Sequence, residues 1–291
     1  MEYLTYYTQF LFSGLTIGAI YALVGLGFAL VYNVSKVLNF AQGEFVMLGA
    51  MAMIYLVKGL GLSIPLAFLL SMVFVAVIGL LMDLIAIRPV QQGSPLIMIL
   101  ITIGISAFIQ GVAGLVFGRE HLSFPPLFFR GKVINLFGAV FDPQVISIIV
   151  LTILASISLK IFLTHSWEGK ALRACGENKI AAYLLGMNVP FIRALSFAIS
   201  GTIGAIAGIM VTPICLMYNQ GGVILGLKGI CGAVIGGLNN IWGALIGGLI
   251  LGLSESFGVG IIASEYKDAI AFCILLIILF IKPQGLLGGN K

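Results

Sequence analysis

The chain has 291 residues, of which 60% are hydrophobic and only 9% are charged, and its mean hydropathy is +1.18. Soluble domains carry about 25% charged residues, so this composition excludes a water-soluble globule and predicts a protein whose solvent is membrane lipid. The net charge of +5 does not indicate nucleic-acid binding, because the basic residues lie in short segments between apolar runs, where membrane orientation explains them.

Uncharged runs follow one another along the sequence, and the longest covers 34 residues, from 194 to 227. About 20 apolar residues are enough for a helix to cross a bilayer. The runs are too long and too uniform for the strands of a membrane barrel, and lipid offers their backbone groups no hydrogen-bond partner. We therefore predict an all-α fold, a polytopic transmembrane helix bundle that forms a single domain over residues 1–291.

We expect eight or nine membrane spans. The broken or re-entrant region near 223–257 decides the number, because a double crossing with a turn at Leu238-Asn239-Asn240 gives nine and places the chain ends on opposite sides. A re-entrant course without crossing would change the topology. In chain order the predicted segments are 10–32, 40–57, 63–86, 95–118, 143–163, 194–213, 223–257 and 268–282.

The distribution of basic residues predicts the orientation. Lysine and arginine are retained on the cytoplasmic side of a membrane. With the N-terminus outside, nine of these residues lie inside and five lie outside. We therefore expect a multi-pass protein of the cytoplasmic (inner) membrane, with its N-terminus outside and its C-terminus in the cytoplasm.

Many of the 38 glycines lie four residues apart. Small residues at this spacing let helix backbones approach closely, so we interpret the pairs as helix-packing surfaces, with a hinge or pore-lining role as the alternative. The pairs are Gly14/Gly18, Gly204/Gly208, Gly232/Gly236, Gly243/Gly247 and Gly248/Gly252.

A short sequence repeat suggests internal symmetry. The pentapeptide Thr16–Ile20 recurs 186 residues later as Thr202–Ile206, and Tyr32-Asn33 recurs at the same offset as Tyr218-Asn219. Under the predicted topology the two copies run in opposite directions. Inverted repeats of this kind occur in transporters, whose substrate path lies at the repeat interface.

The polar segment from Tyr32 to Phe45 lies between two apolar spans and contains Asn39, Gln42 and Glu44. Ionisable groups at membrane depth normally face a cavity or a partner, so these three residues are candidates for the lining of a translocation path. The alternative is a well-capped helix start, with Asn39 as the N-cap and Glu44 in the first turn.

Lys228 is a lone cation, with 34 uncharged residues before it and 26 after it. A charge at the centre of a bilayer costs about 2.5–3.5 kcal/mol on insertion scales unless it is paired or hydrated. The nearest acid in the sequence is Glu255. Lys228 and Glu255 are therefore either a structural ion pair or further candidates for the translocation path.

Motifs of enzymes are absent from the sequence. It lacks the phosphate-binding GxxxxGK[ST] pattern and the HExxH and GxSxG motifs, and its two histidines, His121 and His165, fall in opposite loops. The four cysteines have no metal-binding spacing. We predict no catalytic activity, no cofactor and no metal site.

The segment 164–193 differs from the rest of the chain, because the stretch from Lys160 to Arg193 holds seven of the 25 formal charges. Apolar residues recur within it near helical spacing, which predicts two short amphipathic helices hinged near Gly176. Such an element can dock in a groove of another protein. The apolar residues are Ala171, Leu172, Cys175, Ile180, Ala181, Leu184 and Leu185.

Several motifs together resemble a known family. Ala181-Ala182-x-x-x-Gly186 looks like the core of the loop by which permease subunits of ATP-binding-cassette (ABC) importers engage their ATPase subunits. The other motifs resemble one permease subunit of the high-affinity branched-chain amino-acid importer, over essentially the whole chain. They are Asn39–Glu44, Gly247–Gly252 with Glu255, Glu265–Asp268 and Lys282–Gly288.

The resemblance implies an ABC importer permease that takes leucine, isoleucine and valine across the bacterial inner membrane. Its partners would be a second homologous permease, two ATP-hydrolysing subunits and an extracytoplasmic binding protein. The segment 164–193 would be the coupling loop, with Ala181, Ala182, Gly186, Arg173 and Glu177 facing the ATPase. The general importer motif has glutamate where this chain has Ile180, so that contact does not carry over.

Two alternatives stay open. An ABC permease could instead carry urea, a short amide or another amino acid, because no residue here is known to recognise an isopropyl group. A stand-alone secondary transporter or channel would fit the possible inverted repeat. The few acids in the apolar runs and the docking character of the 164–193 segment favour the ABC permease.

Overall fold

The computed structural model describes residues 2–90, 94–125, 134–136, 139–141, 143–261 and 263–289. These residues form eleven α-helices and one two-stranded antiparallel hairpin. The elements are α1 (Glu2–Ser35), α2 (Gln42–Ile54), α3 (Ile64–Met82), α4 (Pro95–Val116), β1 (Ile134–Leu136), β2 (Ala139–Phe141), α5 (Gln144–His165), α6 (Trp167–Glu177), α7 (Lys179–Leu184), α8 (Val189–Val211), α9 (Gly221–Gly236), α10 (Ile241–Ile261) and α11 (Lys267–Ile281).

The helical class is confirmed, but the expected eight or nine spans are not. Six helices in the described part of the chain are long and apolar enough to cross a membrane, namely α1, α3, α4, α5, α8 and α10. The other predicted spans correspond to α2, α9 and α11, which have 13, 16 and 15 residues. At about 1.5 Å per residue, these three are too short to cover a hydrocarbon layer of about 30 Å.

The interior of the bundle is built around α1, which packs antiparallel to α10. Gly14 and Gly18 face the backbone of Leu253 and Leu249, and a Cβ atom at Gly248 would overlap the backbone of Ala22. Lipid provides no hydrophobic drive between helices, so close van der Waals contact must hold them together. The helix-packing interpretation of the glycine pairs is confirmed at these positions.

Helices α9 and α10 form an antiparallel hairpin. Gly232 lies against Gly248, and Gly236 lies against Gly243. The chain reverses through residues 237–240, where Gly237 has a φ of +108° and the Asn240 side chain accepts hydrogen bonds from the first amides of α10. The predicted turn at Leu238-Asn239-Asn240 is confirmed.

Helix α2 begins halfway up the bundle instead of at its end. The side chain of Gln42, the first residue of α2, is hydrogen-bonded to Ser200, which is eleven residues from each end of α8. Helices α2 and α8 then run parallel, since Gly204 faces Phe45 and Gly208 faces Val46. Segment 36–41 therefore returns from the end of α1 into the middle of the protein.

Helices α1 and α8 run in opposite directions, because Ser35 at the end of α1 and Arg193 near the start of α8 both lie close to Lys179. Ser200 of α8 lies at the level of Gly27, eight residues from the end of α1. The two copies of the short repeat are therefore antiparallel, as the predicted topology requires. The repeat itself stays a prediction.

One end of the bundle gathers several chain segments. Asn33 Nδ2 donates to Leu238 O at 3.1 Å, and Asn240 Nδ2 donates to Leu287 O at 3.1 Å. Lys179 Nζ, at the start of α7, donates to Ser35 O at 2.8 Å. The end of α1, the 237–240 turn, the C-terminal residues and the 164–193 segment thus share one end. The start of α1 lies at the other.

The backbone contact between α1 and α10 generates a test. We expect Gly248→Ala to lower the free energy of unfolding by about 1–3 kcal/mol, because the new methyl group would overlap the backbone of Ala22. Gly104→Ala is the matched control, since a Cβ atom there meets nothing within 4 Å and alanine favours a helix by about 1 kcal/mol. Thermal unfolding in detergent measures both, and equal stability of the two variants would contradict this packing.

Candidate functional site

The predicted amphipathic segment folds as α6 and α7. The break between them is at Asn178, two residues after Gly176, which agrees with the predicted hinge near Gly176. Asn178 has extended backbone, and its Oδ1 accepts hydrogen bonds from the amides of Ile180 and Ala181 at 3.0 Å each. The side chain of Asn178 therefore starts a second helix.

Helix α6 is fixed to the end of the bundle. It packs against α1, α5 and α8, and it buries Ala171, Leu172 and Cys175. Gly176 allows close approach to the carbonyl of Asn33, because a Cβ atom there would lie 3.1 Å from that oxygen. The charged side chains of the helix point outward, and both Arg173 and Glu177 are exposed.

Lys179 joins α7 to the end of α1 through its bond to Ser35 O, and it is half-buried. Burial first, and then the neighbouring cations Arg193 and Lys36, lower the pKa of Lys179 below its ordinary value. The Nζ group nevertheless has a carbonyl partner, which fixes the position of the α7 start relative to α1.

Helix α7 presents an apolar face to the outside. Ile180, Tyr183, Leu184 and Leu185 are each 70–79% exposed. Clustered apolar side chains of this size on a charged surface mark a site of interaction with another protein. Beside them, an open groove is lined by Tyr183, Leu184, Gly186, Met187, Asn188 and Pro190.

The motif residues Ala181, Ala182 and Gly186 have different roles in the fold. Ala181 is exposed and Ala182 is buried. Gly186 has a φ of +78° and ends the helix, with the amide of Met187 bonded to Ala182 O and the amide of Gly186 bonded to Tyr183 O. This is the hydrogen-bond pattern of a Schellman cap, which explains glycine at this spacing.

Glu44 lies in the first turn of α2, fully buried near the middle of the bundle. Its Oε1 accepts hydrogen bonds from Ser106 Oγ and Gln110 Nε2, both at 2.9 Å. Its other carboxyl oxygen, Oε2, is buried without a hydrogen-bond partner. Among the described residues, no lysine or arginine forms an ion pair with it.

Gln42 connects three helices. Its Oε1 lies 2.6 Å from the hydroxyl of Ser200, and its Nε2 donates to Ser200 O at 3.3 Å. The Ser200 hydroxyl is also 3.0 Å from Gly27 O. The side chain thereby holds the start of α2 between α1 and α8, and its contacts are structural.

Asn39 is not the N-cap of α2, which is Ala41 without a side-chain hydrogen bond. Asn39 Oδ1 instead accepts from the amide of Ala41 at 3.1 Å, forming an Asx-type turn before the helix. The difference arises because the chain makes one further turn before α2 begins. Asn39 is buried, and its Nδ2 has no hydrogen-bond partner.

Lys228 and Glu255 are paired inside the bundle, with Lys228 Nζ 2.6 Å from Glu255 Oε1 and 2.7 Å from Asp268 Oδ1. The hydroxyl of Tyr21 donates to Glu255 Oε2 at 3.0 Å, and Lys267 lies 3.8 Å from the same oxygen. These contacts join α1, α9, α10 and α11. They match the ion-pair alternative for Lys228.

Sequence reasoning missed a second buried ion pair, between Arg193 Nε and Asp83 Oδ1 at 2.6 Å. It joins the start of α8 to the end of α3, and Asp83 is fully buried. The sequence does contain a feature that indicates this ion pair, because Asp83 and Arg193 are each an isolated charge at the edge of an apolar run.

A polar stripe on α4 was also missed. Thr102, Ser106 and Gln110 recur every four residues and therefore share one face of the helix. Thr102 Oγ1 accepts from the amide of Phe40 at 3.2 Å, while Ser106 and Gln110 donate to Glu44. The four-residue spacing was a usable signal in an otherwise apolar helix.

The Lys228 cluster generates a prediction about stability. We expect Lys228→Met to cost about 3–5 kcal/mol, because it leaves the buried Glu255 carboxylate without its principal cation. Adding Glu255→Gln should restore at least half of that loss. Thermal unfolding in detergent measures both variants.

Lys267→Met is the control for this experiment. Lys267 is 37% exposed and more distant from Glu255, so we expect a change within about 0.5 kcal/mol. A double variant no more stable than Lys228→Met alone would show that the pair is not a structural unit.

Comparison with known proteins identifies the family. Residues 10–279 match the sequence model described as Branched-chain amino acid transport system / permease component. The chain is 33% identical to the high-affinity branched-chain amino acid transport system permease protein LivH of Escherichia coli (strain K12), over 99% of this chain and 97% of the relative. It is 35% identical to the permease protein BraD of Pseudomonas aeruginosa, over 99% and 98% of the two chains.

A more distant relative is the probable permease protein LivH of Methanocaldococcus jannaschii, which is 29% identical over 91% of this chain and 88% of its own. Among solved structures, a chain of PsaBC from Streptococcus pneumoniae in complex with Fab has the same fold, with a TM-score of 0.52 and 14% identity over 95% of this chain and 92% of that one. The resemblance inferred from the sequence motifs is thus confirmed, and the chain belongs to the permease component family of branched-chain amino acid transport systems.

Proposed function

We propose that this chain is a permease subunit of an ABC importer that carries branched-chain amino acids across the inner membrane. The observation that carries the proposal is the similarity to LivH and BraD over nearly the full length of the chain, since both are named for this transport system. ATP is hydrolysed on separate subunits, and this chain provides the path through the membrane.

The coupling surface is the apolar face of α7. Burial of a leucine or tyrosine that is more than two thirds exposed is favourable by about 25 cal/mol per Å² of apolar area, which offsets the entropy lost when the side chain is ordered. Because Ile180 stands where the general importer motif has glutamate, docking depends on apolar contact and shape around Ala181, Ala182 and Gly186. Arg173 and Glu177 flank this face and supply polar contacts at its rim.

The coupling segment is well placed to transmit motion. Helix α6 is buried against α1 and α5, and Lys179 ties the start of α7 to the last turn of α1. Displacement of α7 by an ATPase subunit would therefore move α1 directly. A partner that contacts only the outer face of α7 can act on the centre of the bundle in this way.

The complete importer contains further chains in this proposal. A second homologous permease completes the translocation path, two ATPase subunits bind the two coupling segments, and an extracytoplasmic binding protein delivers the amino acid. A zwitterion is costly to place in hydrocarbon, so the path between the permeases must be polar in places and open alternately to each side.

The orientation follows from the coupling surface. If α6 and α7 face cytoplasmic ATPases, then the end of α1, the 237–240 turn and the C-terminal residues are cytoplasmic as well. The start of α1 is then extracytoplasmic. The short helices α2, α9 and α11 complete nine passes together with the segments that connect them, and the excess of basic residues inside agrees with this arrangement.

Purification of the tagged chain from its own membrane tests the assignment. We expect a second permease and ATPase chains to co-purify, and the reconstituted complex with its binding protein to take up leucine only with ATP. Urea and short amides serve as competitor cargoes. Full uptake by this polypeptide alone, without nucleotide, would instead establish a stand-alone transporter.

The docking role of α7 predicts the effect of one exposed side chain. Leu184 is 79% exposed, so Leu184→Asp should leave the fold intact. A charge in the centre of an apolar interface should cost about 2 kcal/mol of binding, which is about 30-fold in affinity. We expect ATPase co-purification and leucine uptake to fall together.

Leu184→Met is the matched control, because it keeps an apolar side chain of similar volume and should retain both properties. Normal uptake by the Leu184→Asp complex would show that α7 is not part of the coupling surface.

Reporter fusions test the orientation. Green fluorescent protein at the C-terminus should fluoresce, since it folds on the cytoplasmic side, and alkaline phosphatase inserted at Gly61 should be active, since it folds outside. Gly61 is a suitable insertion point because its φ is +65° and no atom lies within 4 Å of a Cβ placed there. The reverse pattern of activities would invert the topology.

A further inference from the structure

A cavity of about 350 Å³ lies among α1, α4 and α9, beside the segment that precedes α2. Its wall is mostly apolar and includes Phe28, Phe40, Ile103, Leu227 and Ile230. The exceptions are Ser106 and Gln110, which lie together on α4. Binding sites for small molecules are of this kind, with volumes of about 300–1,000 Å³, apolar walls and a few convergent polar groups.

The polar part of the wall leads directly to Glu44. Ser106 and Gln110 each donate a hydrogen bond to Glu44 Oε1, so this carboxyl group is one hydrogen bond behind the cavity surface. Glu44 Oε2 is buried and has no partner. A buried carboxyl oxygen without a partner is costly in a protein interior, and a cation in the cavity would be separated from this carboxyl group only by Ser106 and Gln110.

A second buried polar group without a partner is next in sequence to a residue of the cavity wall. Asn39 is buried, directly before the cavity residue Phe40, and its Nδ2 donor has no partner. The first turn of α2 begins two residues after Phe40, and Gly43 in that turn contacts Gly222 and Gly226 in the first turns of α9. The positive ends of two helix dipoles therefore meet near mid-height, an arrangement that favours an anion.

These features together match the groups of one class of molecule. We propose that the cavity binds an aliphatic α-amino acid. Ser106 and Gln110, backed by the Glu44 carboxylate, face its ammonium group, the helix starts that meet beside Asn39 attract its carboxylate, and the apolar wall contacts its branched side chain. This assignment rests on the proposed function and adds the residues that select the cargo within the membrane. It also distinguishes this subunit from a passive channel wall, because the two charges of the ligand are bound separately.

The cavity is open on the side of α4. Ile103 is 46% exposed although it lines the cavity, and Ala107 beside it is exposed as well. An opening through the side of the bundle suits a path that two permeases share, since the second subunit would cover it. The binding site is then half of a composite site and exists in full only in the assembled importer.

The experiment uses the complete importer in proteoliposomes and photo-leucine, a leucine analogue whose diazirine labels neighbouring side chains on illumination. We expect labelled peptides from α4, around Ile103, and from α9, around Leu227. Excess leucine should remove the label. Isocaproate lacks the ammonium group and leucinol lacks the carboxylate, so each should compete at least about tenfold more weakly.

Glu44→Gln is the decisive variant, because it keeps the shape and the hydrogen bonds but removes the charge. Labelling and leucine uptake should both fall about tenfold or more, with ATPase subunits still bound. Glu120→Gln is the control, since Glu120 is an exposed acid beyond the end of α4, and it should behave as the wild type. Ala107→Phe should fill the cavity and reduce labelling, whereas Leu115→Phe, on the outer face of the same helix, should not.

The outcomes separate this inference from the proposed function. A wild-type importer that takes up leucine but is labelled only outside α4 and α9 would overturn the inference and leave the function standing. So would an assembled Glu44→Gln importer with normal uptake and labelling. A wild-type complex with no ATP-dependent uptake of any amino acid would overturn both. If Glu44→Gln does not fold, the positions labelled in the wild-type importer still test whether the cavity binds the amino acid.

Discussion

Close approach of helix backbones is the constraint on which this structure depends. In lipid no hydrophobic force draws apolar helices together, so they associate through van der Waals contact and a few polar groups. Helices α1 and α10 can approach closely because no side chain separates them at Gly18, Gly248 and Gly252. The same holds for α2 and α9 at Gly43 and Gly222. Helix α2 can begin at mid-height because the backbone of α9 approaches its first turn closely there. The position of Glu44 inside the protein follows from this packing.

The charges inside the bundle fall into two groups. Asp83 with Arg193, and Glu255 with Lys228, form short ion pairs that join helices distant in sequence. Glu44 is different, because its partners are uncharged and one of its oxygens has none. Paired charges of the first kind are costly to disturb and specify one arrangement of the helices. An incompletely satisfied carboxyl group is the kind of residue that a ligand completes.

The sequence was sufficient for the position and class of most helices, because uncharged runs bounded by charges report membrane segments directly. The sequence also predicted the turn at Leu238-Asn239-Asn240, and one of its two alternatives for Lys228 was the ion pair with Glu255. The number of spans could not be read, since α2, α9 and α11 are apolar but too short to cross alone. Their lengths are fixed by turns and caps inside the bundle, such as Ala41 and Gly237, and these depend on tertiary contacts.

The candidate site could likewise be predicted only in part from the sequence. Asn39 and Glu44 were visible as polar residues at membrane depth, whereas Ser106 and Gln110 became relevant only when α4 was placed against α2. Gln42 is just as visible in the sequence as a polar residue, but its side chain is hydrogen-bonded to Ser200. Polarity in an apolar chain indicates which residues matter, and the contacts decide whether they serve the fold or a ligand.

The 164–193 segment is attached to the bundle on both sides of the break at Asn178. Before it, α6 is attached to α1 and α5; after it, α7 leads within a few residues into α8, whose Arg193 is bound to Asp83 of the α3 extension. A displacement of α7 would thus act on α1 through Lys179 and on α8 through the short connection that precedes it. The boundary between them runs past Ser200 and Gln42, at the level where the cavity lies.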